Sequence, residues 1–518
     1  MLVIALACVF GAPAVAKAGF VPPPLQSQAT ANPDATLNVI VLGQPGTRTD
    51  TVKDRVKSAG GSVETTFAVI SGVVADLTGS QVTALGRSTA IRSITPNGRV
   101  RGQSVTSGLI WPLATGVSSL LNSGTLSSLT RKAPGIAIVD SGVDTSRKAD
   151  FGGRIAASVD FTGAGDGGRP DVNGHGTLVA GLAAGALSPG ASPTSNLYSL
   201  KVVRPDGTAY AGDVIEAADW IYKNAFGNNI RVANFSLRNA FPNYAGYDPL
   251  DAAVRRLWLS GTVVVASAGN NGPGRMLYAP ASDPFVITVG ASDIADTVAR
   301  QDDSNASWTS YGYTAEGFAK PELAAPGRWM IGPVPTGSVL PTTFPDRLLS
   351  PGYMWMSGTS FSAPVVAGIA AQILARHPSF TPDQVKGALM LTAKRAPLAT
   401  KLSLGVGEVD AAAAAALTSP PNPNENLYRF VRPDGSGTSS FDWDGWNAYV
   451  ASTASWTDAS WTDASWTDAS WTDASWTDAS WTDASWTDAS WTDASWTDAS
   501  WTDASWTDAS WTDSTPRE

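Results

Sequence analysis

The sequence predicts an α/β protein whose parallel sheet carries helices on both faces. Short, continuous apolar runs rich in Val and Ile recur from Gly135 onward: GIAIVD (135–140), NLYSLKVV, IRVANFSL, GTVVVASAGN and FVITVGASD. Longer segments with helical spacing lie between them, GDVIEAADWIYKN and DPLDAAVRRLWLSG among them. Strands covered on both faces lose the polar alternation of half-exposed ones, and parallel neighbours need a crossover, usually a helix. Bulk composition agrees: 43% of the 518 residues are hydrophobic and 15% charged, enough for a large core. Loops that carry chemistry in such sheets gather at the carboxyl ends of the strands.

Four further segments flank this one. The opening MLVIALACVFGAPAVAKA (1–18) ends in small residues, with Ala14-Val15-Ala16 and Ala16-Lys17-Ala18 as cleavage candidates, and reads as a secretory signal peptide. It is too short, and too broken by Gly11 and Pro13, to span a bilayer well. Cys8, the only cysteine, lies inside it, so the cleaved protein is expected to hold no thiol; a lipid anchor at Cys8 is the second reading. After the spacer VPPPLQ, residues 35–103 read as a small α+β unit in the order β-α-β-β-α-β. Thr49 and Asp50 are cap candidates for its first helix, and the middle strands meet near Ser71-Gly72. The main segment runs over 107–418, a Pro-rich polar linker is expected over 419–453, and ASWTD repeats fill 454–513.

The net charge of −10 comes from those repeats, each with an aspartate and none with a basic residue. The remainder is close to neutral and has no basic patch, so no nucleic-acid partner is expected. A period of five fits neither a helix face nor a strand face. The repeats therefore read first as an extended, disordered low-complexity tail. A pentapeptide solenoid and an aromatic surface that contacts the cell surface or polysaccharide are the alternatives.

Three glycine-flanked polar residues stand out in the main segment. Asp140 ends GIAIVD ahead of Ser141-Gly142. His175, one of only two histidines, lies in NGHGTLVAG, before a small-residue helical run. Ser360 sits in SGTSFSAPVVAG, again opening such a run. Acyl transfer by a hydroxyl needs a base that can return the proton, and a carboxylate to orient that base. Taken singly, each residue has a structural reading as a turn, cap or core group. The flanking glycines suggest a cleft kept open for substrate backbone.

Together these stretches resemble the subtilisin-like serine proteases. VDSGVD, DVNGHGTLVAG and SGTSFSAPVVAG are similar to that family's aspartate, histidine and serine motifs. VVVASAGNNG (263–272) resembles its oxyanion-hole motif, and KPELAAPG (320–327) and GVGEVDAAAA extend the likeness. The resemblance implies a secreted serine endopeptidase with Ser360 as nucleophile, His175 as base and acid, Asp140 as its orienting partner and Asn270 as oxyanion donor. It also implies substrate-binding edges at Ser236 and Leu237 on one side and at Gly207 and Gly212 on the other. Arg238 stands where the family usually has glycine, and its side chain either narrows the pocket or points outward. By the same resemblance, residues 35–103 form an inhibitor-type propeptide, removed by self-cleavage between Asn97 and Ser107. The chemistry needs no cofactor; structural calcium is common in the family, though no aspartate cluster marks a site. His377 follows a helix, precedes proline, and reads as a surface residue without a catalytic part.

Two competing classes follow from the residues. One is a surface-binding scaffold whose tryptophan repeats do the work. The other is a lipase or esterase, although the G-x-S-x-G elbow is missing around Ser360.

Overall fold

The computed structural model describes residues 19–97, 106–122, 132–164, 169–187, 190–350, 352–434 and 439–452. The expected signal segment, the ASWTD repeats and most of the stretch expected to be self-cleaved lie outside the described residues. The chain divides into two compact units, Met1–Gln103 and Ser104–Glu518.

In the first unit, β1 (Thr36–Gly43), β2 (Ser62–Thr66), β3 (Gly72–Thr78) and β4 (Ile91–Pro96) form an antiparallel sheet in the order β2-β3-β1-β4. Alternation along TLNVIVLG turns Leu37, Val39 and Val41 inward. Helices Thr49–Ser58 and Gly79–Gly86 lie between the strands, the second opened by reciprocal bonds between Thr78 and Gln81. The first helix differs from expectation. It starts at Thr49 after Arg48, without a side-chain cap, and the Thr49 hydroxyl donates instead to the Phe67 carbonyl (3.2 Å). The spacer is also helical, over Pro23–Ala31, because proline suits a first helical position and Leu25 and Ala29 are buried in this unit's core.

The second unit holds an eight-stranded sheet. Its main strands are β5 (Gly135–Asp140), β6 (Ile155–Asp160), β7 (Leu197–Lys201), β8 (Ile230–Phe235), β9 (Val263–Ser267) and β10 (Ile287–Asp293). They run parallel in the order β6-β7-β5-β8-β9-β10. Leu323–Pro326 pairs with β10 in parallel and Ser304–Asn305 pairs with it antiparallel. The unexpected strand, β6, lies at an edge and alternates half-buried with exposed residues, so it has no continuous apolar run. The chain fills one side of β5 with β7 and β6, then crosses to β8 on the other. Strand order therefore reverses between β5 and β8, where Asp140 ends one strand and Ser236 follows the other. Such a reversal opens a crevice at the carboxyl ends.

Helices His175–Ala184 and Thr359–Arg376 pack on each other and are buried almost throughout, which their Ala and Gly content permits. Helices Ala211–Asn228 and Pro249–Leu259 are amphipathic; the latter buries Leu250, Val254, Leu257 and Trp258. No described helix is long and apolar enough to cross a membrane.

Residues 419–434 and 439–452, expected as linker, pack instead on the second unit. Leu427, Phe430, Phe441 and Trp446 join the core of the second unit, with Trp446 stacked on Phe318 at 5.1 Å. The Tyr428 hydroxyl donates to Asp383 (2.7 Å), and the buried Lys386 ammonium donates to Asn424 Oδ1 (3.1 Å) and Glu322 (3.0 Å). The aromatic content outweighs the polar opening of the segment.

Candidate active site

Asp140 is buried at the carboxyl end of β5, and its Oδ1 accepts from the Ser141 N–H at 2.7 Å. His175 is the first residue of its helix, and Nδ1 lies 2.7 Å from the same Oδ1. An ionised carboxylate can only accept, so the ring proton sits on Nδ1 and Nε2 is left as the acceptor. The imidazole is 23% exposed. Burial works against its charge, yet the Asp140 carboxylate, by charge and by hydrogen bond, and then Asp171 hold it above its ordinary value.

Asp171 went unnoticed as a functional residue in the sequence. Its buried carboxylate accepts from Ser141 Oγ (2.9 Å), Gly174 N (2.7 Å), Thr177 N (2.9 Å) and Thr177 Oγ1 (2.5 Å). These bonds tie the loop after β5 to both sides of His175. Burial pushes its carboxyl up to about 6, against the pull of those donors.

Two of the flanking glycines, Gly142 and Gly176, hold the same two loops together. Gly142 has φ +104°, and a Cβ there would lie 1.8 Å from the Pro170 carbonyl oxygen. A Cβ on Gly176 would lie 2.2 Å from the Gly142 carbonyl oxygen. Backbone meets backbone, and no side chain fits.

Ser360 is half-buried in the first turn of its helix. Its hydroxyl donates to the Ser236 carbonyl (3.3 Å), while the Ser236 hydroxyl donates to the Ser360 carbonyl (2.8 Å). The ring of the next residue, Phe361, lies 5.2 Å from the imidazole, centroid to centroid. Asp140 and His175 are thus joined directly, whereas the Ser360 hydroxyl is turned to Ser236 and its neighbour Phe361 is what meets the imidazole. Rotation about one side-chain bond re-aims that hydroxyl, and catalytic hydrogen bonds are often loose before substrate binds.

Asn270 follows β9 and is exposed. Its Oδ1 accepts from both N and Oγ1 of Thr359 at 3.0 Å, which leaves Nδ2 as a free donor. Leu237 is half-buried against the core. Gly207 sits in a turn with φ +86°, where a Cβ would lie 3.9 Å from Nδ2 of Asn173. Gly212 lies in the first turn of helix Ala211–Asn228, where a Cβ would meet nothing within 4 Å. His377 is half-buried rather than a surface residue: Nε2 meets the Ala415 carbonyl (3.0 Å), and the ring stacks on Phe380 at 4.4 Å. Among the described residues, no three His, Cys, Asp or Glu side chains converge to hold a metal.

A hydroxyl, an imidazole held by a carboxylate and an amide thus gather at the carboxyl ends of the parallel strands. The model of the Subtilase family matches residues 131–407, more than half of the chain. Serine protease AprX of Bacillus subtilis (strain 168) is 36% identical over 272 residues, covering 50% of this chain and 61% of that protein. Subtilisin DY of Bacillus licheniformis is 31% identical over 289 residues, covering 54% of this chain and 90% of that protein. A solved structure of a cold adapted subtilisin-like serine proteinase is 29% identical and covers 53% of this chain and 86% of that one, with a TM-score of 0.42. The chain belongs to the subtilase family. Its match spans less than two thirds of AprX and, at 64%, of alkaline elastase YaB from Bacillus sp. (strain YaB).

Proposed function

We propose that this chain is a serine endopeptidase, secreted as a self-processing proenzyme and acting on protein or peptide substrates. The observation that carries the reading is the 2.7 Å bond from His175 Nδ1 to Asp140, which leaves Nε2 as the basic ring nitrogen. Nε2 takes the Ser360 proton as Oγ attacks the peptide carbonyl. The oxyanion forms against Asn270 Nδ2 and the Ser360 N–H. The imidazolium then protonates the leaving amine, and an acyl-enzyme remains; water repeats the sequence to release the acid. Each step uses only this chain's own groups and water.

The apolar leader with its A-x-A sites supports secretion. The compact fold of the first unit supports its reading as a propeptide that inhibits the enzyme until cleavage between Asn97 and Ser107. The repeats are proposed to reach the cell surface or its polysaccharide.

A fluorophosphonate probe tests the catalytic reading. Wild type should be labelled at Ser360, Ser360→Ala should not, and His175→Ala should react at least a hundredfold more slowly. A folded wild type that takes no label overturns the reading and favours a scaffold whose repeats do the binding. The proenzyme reading has its own measurement: Ser360→Ala should accumulate with the first unit still attached, and normal maturation of that variant in isolation would refute self-processing.

A further inference from the structure

Two backbone stretches flank Ser360. Ser236-Leu237-Arg238 reaches it through the paired Ser236 and Ser360 bonds, at 3.3 and 2.8 Å. Ala268-Gly269-Asn270 reaches its neighbour Thr359, whose Oγ1 accepts from Gly269 N at 3.0 Å. On the proposed role of Ser360, an acyl group attacked there with its oxygen toward Asn270 Nδ2 would project its side chain between these stretches.

Arg238 bridges them. A Cβ built on Gly269 would lie 3.7 Å from Arg238 Cδ, so the aliphatic stem runs across the gap. The guanidinium lies over the Tyr278 ring, 4.4 Å from its centroid. Its one described hydrogen bond goes to the Asn239 carbonyl at 3.3 Å. Among the described residues no carboxylate pairs with it, and the side chain is exposed. Tyrosine thus holds a full positive charge, with donors to spare, at the mouth of the space next to the oxyanion donor.

We infer that Arg238 makes this cleft select substrates whose attacked carbonyl belongs to a residue with a side-chain carboxylate, glutamate above all, and reject lysine and arginine there. The inference rests on the proposed role of Ser360. A guanidinium matches a carboxylate in planar, two-point hydrogen bonding, and a cationic side chain in the same space meets a like charge. The Arg238 stem also shortens the space available to large apolar side chains.

The test uses the mature protein and four chromogenic peptides that differ only in the residue before the cleaved bond: Glu, Ala, Phe and Lys. Fluorophosphonate titration counts active sites in each variant, so a misfolded preparation is recognised as such. Wild type should cut the Glu peptide with kcat/KM at least roughly tenfold above the Lys peptide. Arg238→Gly should bring Glu and Lys within about twofold and raise Phe cleavage. Arg238→Lys should keep the sign of the preference but weaken it, because an ammonium lacks the two-point match. Raising salt should reduce the wild-type ratio.

A wild type that cuts Glu and Lys peptides alike overturns the proposal, as does a ratio unchanged in Arg238→Gly. A wild type that prefers Ala over Glu and Phe, with Phe restored in Arg238→Gly, also overturns it, leaving the arginine a steric plug. Absence of both labelling and cleavage would instead sink the serine-peptidase reading itself.

Discussion

Thr359 decides which way the Asn270 amide points. The Thr359 N–H can only donate, so the atom of Asn270 that it meets at 3.0 Å must be the carbonyl oxygen. The amide hydrogens then face outward without any cost of turning them when charge develops. Asn270→Ala should lower kcat roughly 10²- to 10³-fold with KM little changed, a size carried over from a protease of the same family. Steady-state kinetics on a peptide substrate checks the split.

Thr359→Val tests the hold itself. It removes one donor to Asn270 and strands the Gly269 N–H, which now bonds Oγ1 at 3.0 Å. Stability should fall by about 1–3 kcal/mol, the range for an unsatisfied buried donor, measured in the inactive Ser360→Ala background to avoid autolysis. In the active form kcat should drop about tenfold, more than KM changes.

The acid limb of activity should lie above the pH at which an ordinary imidazole titrates. His175 is held above its ordinary value, and below its folded pKa the ring carries a proton and cannot accept another from Ser360. Raising pH through that value therefore switches kcat/KM on. Asp171→Asn removes one charge that favours the protonated ring, so the midpoint should move toward acid. It also sets an amide N–H against donors on Thr177 or Gly174, so the rate should fall by roughly ten- to a hundredfold through loss of alignment. A pH–rate profile separates the two effects.

The carboxyl pair Asp303 and Glu408 should show in the pH dependence of stability. Burial and then the Glu408 carboxylate push the buried Asp303 up to about 9. One proton shared between the pair relieves their repulsion. With a raised folded pKa, the stabilisation is full below the unfolded value and is lost as pH rises through about 9. Asp303→Asn supplies a permanent donor to Glu408, so its melting temperature in the Ser360→Ala background should exceed that of the parent at pH 9 to 10. Equal melting curves there would refute the shared proton.

Truncation marks where the fold ends. A chain stopped after Leu417 loses Leu427, Phe430, Phe441 and Trp446 and leaves Lys386 without Asn424. It should melt more than about 10 °C lower or fail to accumulate, whereas a stop after Ser452 should leave the melting temperature unchanged. Differential scanning of both forms decides the boundary.

How much of this was legible depends on whether a residue's role is local. Asp140, His175 and Ser360 each end or open an element whose period is plain in the sequence, so their positions could be read. Asp171 could not: four residues before His175 in DVNGH it looks like a turn residue, and its role appears only when Ser141 folds back against it. Strand β6 was hidden because an edge strand shows one buried face and no apolar run. The C-terminal segment was misread because its prolines suggest a spacer. Phe430, Phe441 and Trp446 are spaced for no single element and meet only in three dimensions, with 5.4 Å between the rings of Phe430 and Trp446. Five aromatic residues from Phe430 to Tyr449 were the available signal. The Arg238 side chain needed coordinates as well, since whether it bridges to Gly269 depends on two loops far apart in the chain.

The helix Trp443–Ser452 ends just before the first ASWTD unit at Ala454, and Trp446 roots it in the second unit. Whatever grips the repeats therefore pulls on the helix that Trp446 roots in the second unit. Mechanical load arriving along the tail meets the interlocked rings of Phe430, Phe441 and Trp446 and has to shear them apart before it can peel the sheet beneath.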